Sequence, residues 1–328
     1  MGTFGQFQYH AQRCPMVRFG VAGYPLAFTE SSDGKDRSKI FEWVSKIGLD
    51  AVELQMTYGP RTKPEKCIEY KALSDGLGIR ISVHAAYYIV LTSGEEEKVS
   101  RSIDTLNKTY ELTDLLGGKE VILHPGPLYG GDEDEVSARF ADNAARFVDQ
   151  LGSTDIGLFI ETAGKVGQLG SVDQILSMSQ QIDGVHPCID FGHVHARTLG
   201  TLENTDNIFA LCDEIQGFLD NNPLKRAHFH YTPIHFGPRG EIQHRAVDDR
   251  YPEPKQKDLF GEAAVGENSA DGLFHPRPDP VAEALRMLSG DFTVISETHN
   301  SQEVGAKVLK ESYYSNDREM RTKAGGAL

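Results

Sequence analysis

The chain has 328 residues, with 33 Lys and Arg against 48 Asp and Glu, giving a formal charge of −15. A composition of 39% hydrophobic and 25% charged residues fits a soluble globular body and excludes wholesale disorder. The acidity disfavours non-specific nucleic-acid binding through a generally basic surface, although a local groove or bound cations can still meet phosphates.

No window approaches the roughly 18 uninterrupted apolar residues of a membrane span. The polar stretch before Val17 lacks the apolar centre of a signal peptide. Cys14, Cys67, Cys188 and Cys212 lie far apart with no CxxC pair, as expected for reduced thiols in a cytoplasmic protein.

In chain order, short β-branched and aromatic runs predict strands over residues 18–22, 51–55, 80–84, 120–124, 157–161, 185–190, 226–231 and 292–297. Most are near-continuous apolar runs, the pattern of parallel strands covered on both faces. Helix-like spacing between them is clearest over 38–47, 98–116 and 279–288. Ser171-Val-Asp-Gln174 predicts a capping box opening a helix to Ile182. Eight strands alternating with helices predict a single (β/α)8 TIM barrel. A doubly wound open sheet is the competing architecture, but Gly20-Val-Ala-Gly23-Tyr-Pro25 lacks the third glycine of a dinucleotide-binding turn. The expected organisation is an N-terminal extension (1–17), the barrel (18–314) with a long insertion at 248–280 after strand seven, and a flexible tail (315–328).

The ionisable residues gather at strand ends. His84, His124, Glu161, Asp190 and Glu297 close strands three, four, five, six and eight, while His228 and His230 alternate along strand seven. Alternation places His228 and His230 on one face of their strand. A single His or Asp at a strand end is commonly a hydrogen-bonded structural residue or a helix cap. Six consecutive strands ending this way are different, because the C-terminal rim of a barrel brings them into one pocket. Crowded carboxylates repel one another unless cations intervene. Imidazole and carboxylate without thiolate suit Zn²⁺, Mn²⁺ or Fe²⁺. Asp190-x-x-His193 adds a further ligand pair, and Glu241 with His244 forms another in a glycine-punctuated loop. His186, His195, His275 and His299 are left as supporting or surface residues, and His10 as a surface residue.

Taken in order, His84-x-x-Tyr87, His124-Pro-Gly126, Glu161-Thr-Ala-Gly164, Asp190-x-x-His193, the strand-seven His and Glu297 resemble the endonuclease IV (AP endonuclease family 2) branch of the xylose isomerase-like barrels. The resemblance implies a hydrolase with two or three zinc ions, Mn²⁺ being an alternative, that cleaves the DNA backbone 5′ to abasic sites. It implies that His84, His124 and Glu161 hold a first ion. Glu161, Asp190, His228 and Glu297 would hold a second, and His193, Glu241 and His244 a third. Glu161 and Glu297 would be the catalytic carboxylates. Arg61 and Tyr87 stand where the family contacts DNA, and His230 replaces an amide-bearing residue. Ile242 occupies the family's third-site carboxylate position, so Glu241 must reach from one residue earlier. The Asn usual after Glu161 is Thr162.

A second reading is a sugar isomerase or epimerase, using one divalent ion on Glu161, Asp190, His228 and Glu297 with the carboxylates as acid and base. His84, His124 and His193 exceed what one ion requires. A third reading, a non-catalytic metal-binding scaffold, leaves the intact ligand series unexplained.

Overall fold

A computed structural model describes residues 16–251 and 271–325, with side chains to residue 315. Eight strands, β1 (Val17–Ala22), β2 (Ala51–Gln55), β3 (Arg80–His84), β4 (Glu120–Leu123), β5 (Gly157–Glu161), β6 (Val185–Asp190), β7 (His228–Tyr231) and β8 (Phe292–Ser296), form a closed parallel barrel. Neighbours follow chain order, and β8 returns to pair with β1. Between strands run α1 (Ile40–Lys46), α2 (Pro64–Leu77), α3 (Glu96–Leu115), α4 (Glu133–Leu151), α5 (Val172–Gln181), α6 (Thr205–Asn221) and α7 (Pro278–Leu285), with α8 (Gln302–Gly325) after β8.

Local chemistry starts and stops these elements. The Ser171 hydroxyl accepts from the Gln174 N–H while the Gln174 side chain accepts from the Ser171 N–H, both halves of the expected box. Asp132 caps α4 through two backbone N–H groups ahead of an acidic first turn, which suits the positive end of the helix dipole. Gly78, at φ +68°, ends α2 in the left-handed conformation that glycine adopts without a steric penalty. The strands match the expected ones within two residues at each end. The chain from 316 to 325 continues α8, where the sequence predicts a tail. Residues 1–15, with Cys14 and His10, and 252–270, most of the expected insertion, lie outside the described residues. Cys67, Cys188 and Cys212 are free, buried thiols. No helix among the described residues is long and apolar enough to cross a membrane.

The apolar core divides by strand alternation. Outward-facing Phe19, Val21, Val52, Ile81, Val83, Leu158, Ile189, Phe229 and Val294 join one large cluster under the helices. Inside the barrel only Ala22, Ala51 and Ile295, and Ile122, Phe159 and Cys188, form small separate clusters. The rest of the interior is polar and buried: Glu53, Ser82, Glu120, Glu161, Asp190, His228, His230 and Thr293 are each at most 5% exposed. Such groups are costly to bury unless paired. A column of contacts pairs them, from Glu161 and His230 at the mouth through Glu53 and His228 to Glu120 and Arg80 at the floor.

His186 lies in the lower part of this interior. Its ring stacks 4.9 Å from Phe159, and its Nδ1 accepts the Arg226 N–H at 3.2 Å. Burial, followed by the charges of Arg226 and Lys225, pushes its pKa down to about 3. The unfolded chain therefore takes up a proton below about pH 6.5 that the folded barrel refuses, and stability falls as pH drops from there toward 3. The expected loss is up to about 1.4 kcal/mol per pH unit from this residue. His186→Gln should flatten that part of a stability–pH curve measured by denaturant unfolding between pH 7 and 5; an unchanged slope contradicts the assignment.

Candidate metal centre

The mouth of the barrel collects the strand-end residues. His84, Glu161 and Asp190 are the last residues of β3, β5 and β6, and His124 and Glu297 follow β4 and β8 directly. Parallel register sets their heights: Asp190 pairs with His230, two residues above the Cys188–His228 pair. His230, not His228, therefore stands level with the rim.

Two short structures bring in the remaining residues. Asp190 also caps a short extra helix of seven residues (Phe191–Arg197): its Oδ1 accepts the His193 N–H at 2.6 Å, which turns His193 back over Glu161. After β7, Ile234–Gly237 pairs antiparallel with Gly240–His244. Gly240, at φ +88°, packs so closely on the Gly164 carbonyl that a Cβ would overlap it, and the Glu241 N–H donates to the same oxygen at 3.0 Å. This hairpin, where the sequence suggests only a loop, is what lets Glu241 reach the site from its unexpected position.

Four groups result whose potential ligand atoms lie within 4.8 Å of one another: His84, His124 and Glu161; Glu161, Asp190, His230 and Glu297; His193, Glu241 and His244; and, deeper, Glu53, His228 and His230. The expected ligands thus converge, with one exchange. The second group contains His230, whereas His228 sits below with its Nε2 3.0 Å from Glu53 Oε2. Of the residues expected to meet substrate, Tyr87 is 64% exposed with its ring 6.4 Å from that of Tyr58, and Arg61 is exposed in the loop after β2.

Glu161 joins the first two groups through different oxygens. Oε2 faces His84 Nε2 at 3.1 Å and His124 Nε2 at 3.3 Å, while Oε1 lies 3.0 Å from His230 Nδ1. Three imidazoles are oriented alike, each donating its Nδ1–H to a backbone carbonyl: His84 to Ala85 at 3.0 Å, His193 to Thr162 at 3.0 Å and His244 to Glu297 at 3.2 Å. A carbonyl can only accept, so in the neutral ring each Nε2 would carry the lone pair and point inward, the orientation that supporting hydrogen bonds give metal-bound histidines.

The electrostatics show unresolved crowding. Burial raises the Glu297 carboxyl above its usual range; His230 opposes this and the neighbouring Glu161 charge adds to it. For Glu161 burial also acts upward, but His124, His230 and His193 outweigh it and hold the group well below the usual carboxylate range. Burial drives His124 down to about 4, whereas at His84 the hydrogen-bonded Glu161 carboxylate overcomes burial and lifts the imidazole to about 9. Asp190 Oδ2 and His124 Nδ1 are buried without a hydrogen-bond partner among the described residues. An orphaned carboxylate oxygen, an imidazole–carboxylate donor set and no thiolate fit divalent metal ions.

A cavity of about 460 Å³ lies at the opposite end of the barrel among Arg18, Arg80, Lys119, Glu120, Arg226 and Asp291. Those residues stand at the strand starts, and the cavity holds none of the converging histidines.

A model of the xylose isomerase-like TIM barrel family matches residues 41–255. An uncharacterised protein of Methanocaldococcus jannaschii is 29% identical over 71% of this chain and 83% of its own length. A probable endonuclease 4 of Acholeplasma laidlawii is 28% identical over 46% of this chain, which spans 54% of that relative. Among solved structures, a D-tagatose 3-epimerase-like protein superposes with a TM-score of 0.61, over 92% of this chain and 99% of that one, at 17% identity. That last likeness is one of fold.

Proposed function

Because the chain belongs to the xylose isomerase-like TIM barrel family, we propose that it is a metal-dependent phosphodiesterase of the endonuclease IV type, acting on abasic or otherwise damaged duplex DNA. The observation that carries this is the surplus of ligands. Beyond the Glu161, Asp190, His230 and Glu297 group stand two further groups, one sharing Glu161 and one formed by His193, Glu241 and His244.

In this reading Glu161 would serve two cations, since its two oxygens face different imidazoles. Asp190 and Glu297 would help to hold the second, and His193 and His244 with Glu241 would hold the third. Zinc ions held there would supply Lewis acidity toward the phosphodiester and its leaving oxygen. Cations also reconcile a formal charge of −15 with an anionic substrate. Tyr58, Tyr87 and Arg61, exposed in the loops after β2 and β3, are where the duplex would lie.

Treatment with a strong chelator is expected to abolish nicking of an abasic duplex, and Zn²⁺ or Mn²⁺ to restore it. Elemental analysis should find two or three ions per chain. Undiminished nicking after metal depletion rules this reading out.

One observation favours the second reading, an isomerase or epimerase: the same quartet suffices for one ion, and the epimerase-like structure shares the fold. A single ion per chain, turnover of a ketose and no nicking would select it.

A further inference from the structure

Glu53, in the middle of β2, is absent from the expected ligand set, yet it is fully buried at the heart of the site. We propose that Glu53 is a positioning residue that fixes the tautomer and direction of His230, so that Nδ1 is presented to the cation shared with Glu161, Asp190 and Glu297. The inference rests on the metal-dependent reading above.

The argument starts from the other histidines. His84, His193 and His244 each give their Nδ1 proton to a backbone carbonyl and turn Nε2 inward. His230 is reversed. Its Nδ1 faces Glu161 Oε1 at 3.0 Å and Glu297 Oε1 at 3.7 Å, and its Nε2 lies 3.1 Å from Glu53 Oε1. His230 thus has a carboxylate where the other three have a carbonyl.

Glu53 is held as an acceptor from several sides. The Ser82 hydroxyl donates to Oε2 at 2.9 Å, His228 Nε2 lies 3.0 Å from the same oxygen, and the Gln55 amide donates to Oε1 at 3.3 Å. With donors on both oxygens an ionised carboxylate can only accept, so Nε2 keeps its proton on the Glu53 side, and a cation beside Glu161 Oε1 would take the place of the Nδ1 proton and meet the lone pair there. The carboxylate–histidine–metal arrangement that results fixes ring orientation and raises ligand basicity.

The deeper group of Glu53, His228 and His230 could be read instead as a further cation site, but the shared ring opposes this. A cation there would take the Nε2 lone pair, which obliges the proton to sit on Nδ1, facing Glu161 and Glu297. One neutral imidazole cannot serve both.

Two measurements test the proposal. Long-range ¹H–¹⁵N correlation of the Zn²⁺-loaded protein should show His230 protonated on Nε2 alone; a proton on Nδ1, with or without one on Nε2, overturns the proposal. Metal titration with Zn²⁺ should show Glu53→Gln weakening one ion by about 10- to 100-fold, with the remaining ions bound as before. In a His230→Gln background the same change should have no further effect, because Glu53 acts through that ring. Wild-type affinity in Glu53→Gln, or independent losses that add in the double variant, overturns the assignment. A wild-type chain that takes up no ion at all sinks the metal-dependent reading along with it. Should Glu53→Gln not fold, the tautomer measurement on the unaltered chain decides.

Discussion

Glu161→Gln is expected to reduce metal-dependent cleavage by roughly a thousandfold or more, the scale seen when a group that organises transition-state charge is removed. Glu161 is fully buried, and its two oxygens address separate imidazole groups, so one substitution disturbs two proposed cation sites. The amide is nearly isosteric but offers one acceptor where the carboxylate has two. His84 and His230 cannot then both be satisfied. The outer core, in which Glu161 takes no part, stays intact. Circular dichroism of the variant should therefore match the wild type while its metal content falls. A variant with full activity removes Glu161 from the mechanism.

Gly20→Val is expected to cost about 3 kcal/mol of stability or more, at the upper end of overpacking effects. Gly20 pairs with Ala51 across β1 and β2, and a Cβ at this position would overlap the Ala51 carbonyl oxygen most closely and lie 2.6 Å from both its carbonyl carbon and its Cβ. The nearest obstruction is the Ala51 carbonyl oxygen, which removing the Ala51 methyl group leaves in place, so Ala51→Gly should restore only a minor part of the loss. Denaturant unfolding of the single and double variants checks both statements. Full rescue by the second glycine would move the cause to side-chain packing. The small residues Gly20, Ala22 and Ala51 line the barrel wall on β1 and β2, while most of the imidazoles come from the other strands.

Much of this was legible in the sequence because a parallel strand writes its burial directly as an apolar run, and its chemistry as the residue that ends it. β2, β3, β5 and β6 have the expected bounds. Which strand-seven histidine reaches the rim was not legible. Alternation puts His228 and His230 on one face, but height is set by pairing with β6, where Asp190 meets His230. Register is a property of the closed barrel, not of one strand. Glu53 was missed although Ala-Val-Glu-Leu-Gln carried a signal, a lone charge inside a strand buried on both faces. The hairpin that delivers Glu241 was likewise missed and read as a loop, although Gly237-Pro-Arg-Gly240 between Ile234-His-Phe and Glu-Ile-Gln-His244 has the form of a turn between two strands. Helix α2 gave little warning, since it buries only Cys67, Tyr70 and Ser74.

The chain leaves and re-enters the described structure through a short antiparallel stem. Arg250 bridges Leu273, the Tyr251 N–H donates to the Gly272 carbonyl at 3.0 Å, and the Tyr251 and Phe274 rings lie 3.9 Å apart. With both ends already tied, the number of residues strung between them enters the folding free energy only logarithmically, about 0.6 kcal/mol for each doubling. The length of the connection at this point is therefore a weak lever on the barrel's stability. Lengthening or shortening it can proceed beside the barrel mouth while the framework that holds the candidate ligands is inherited unchanged.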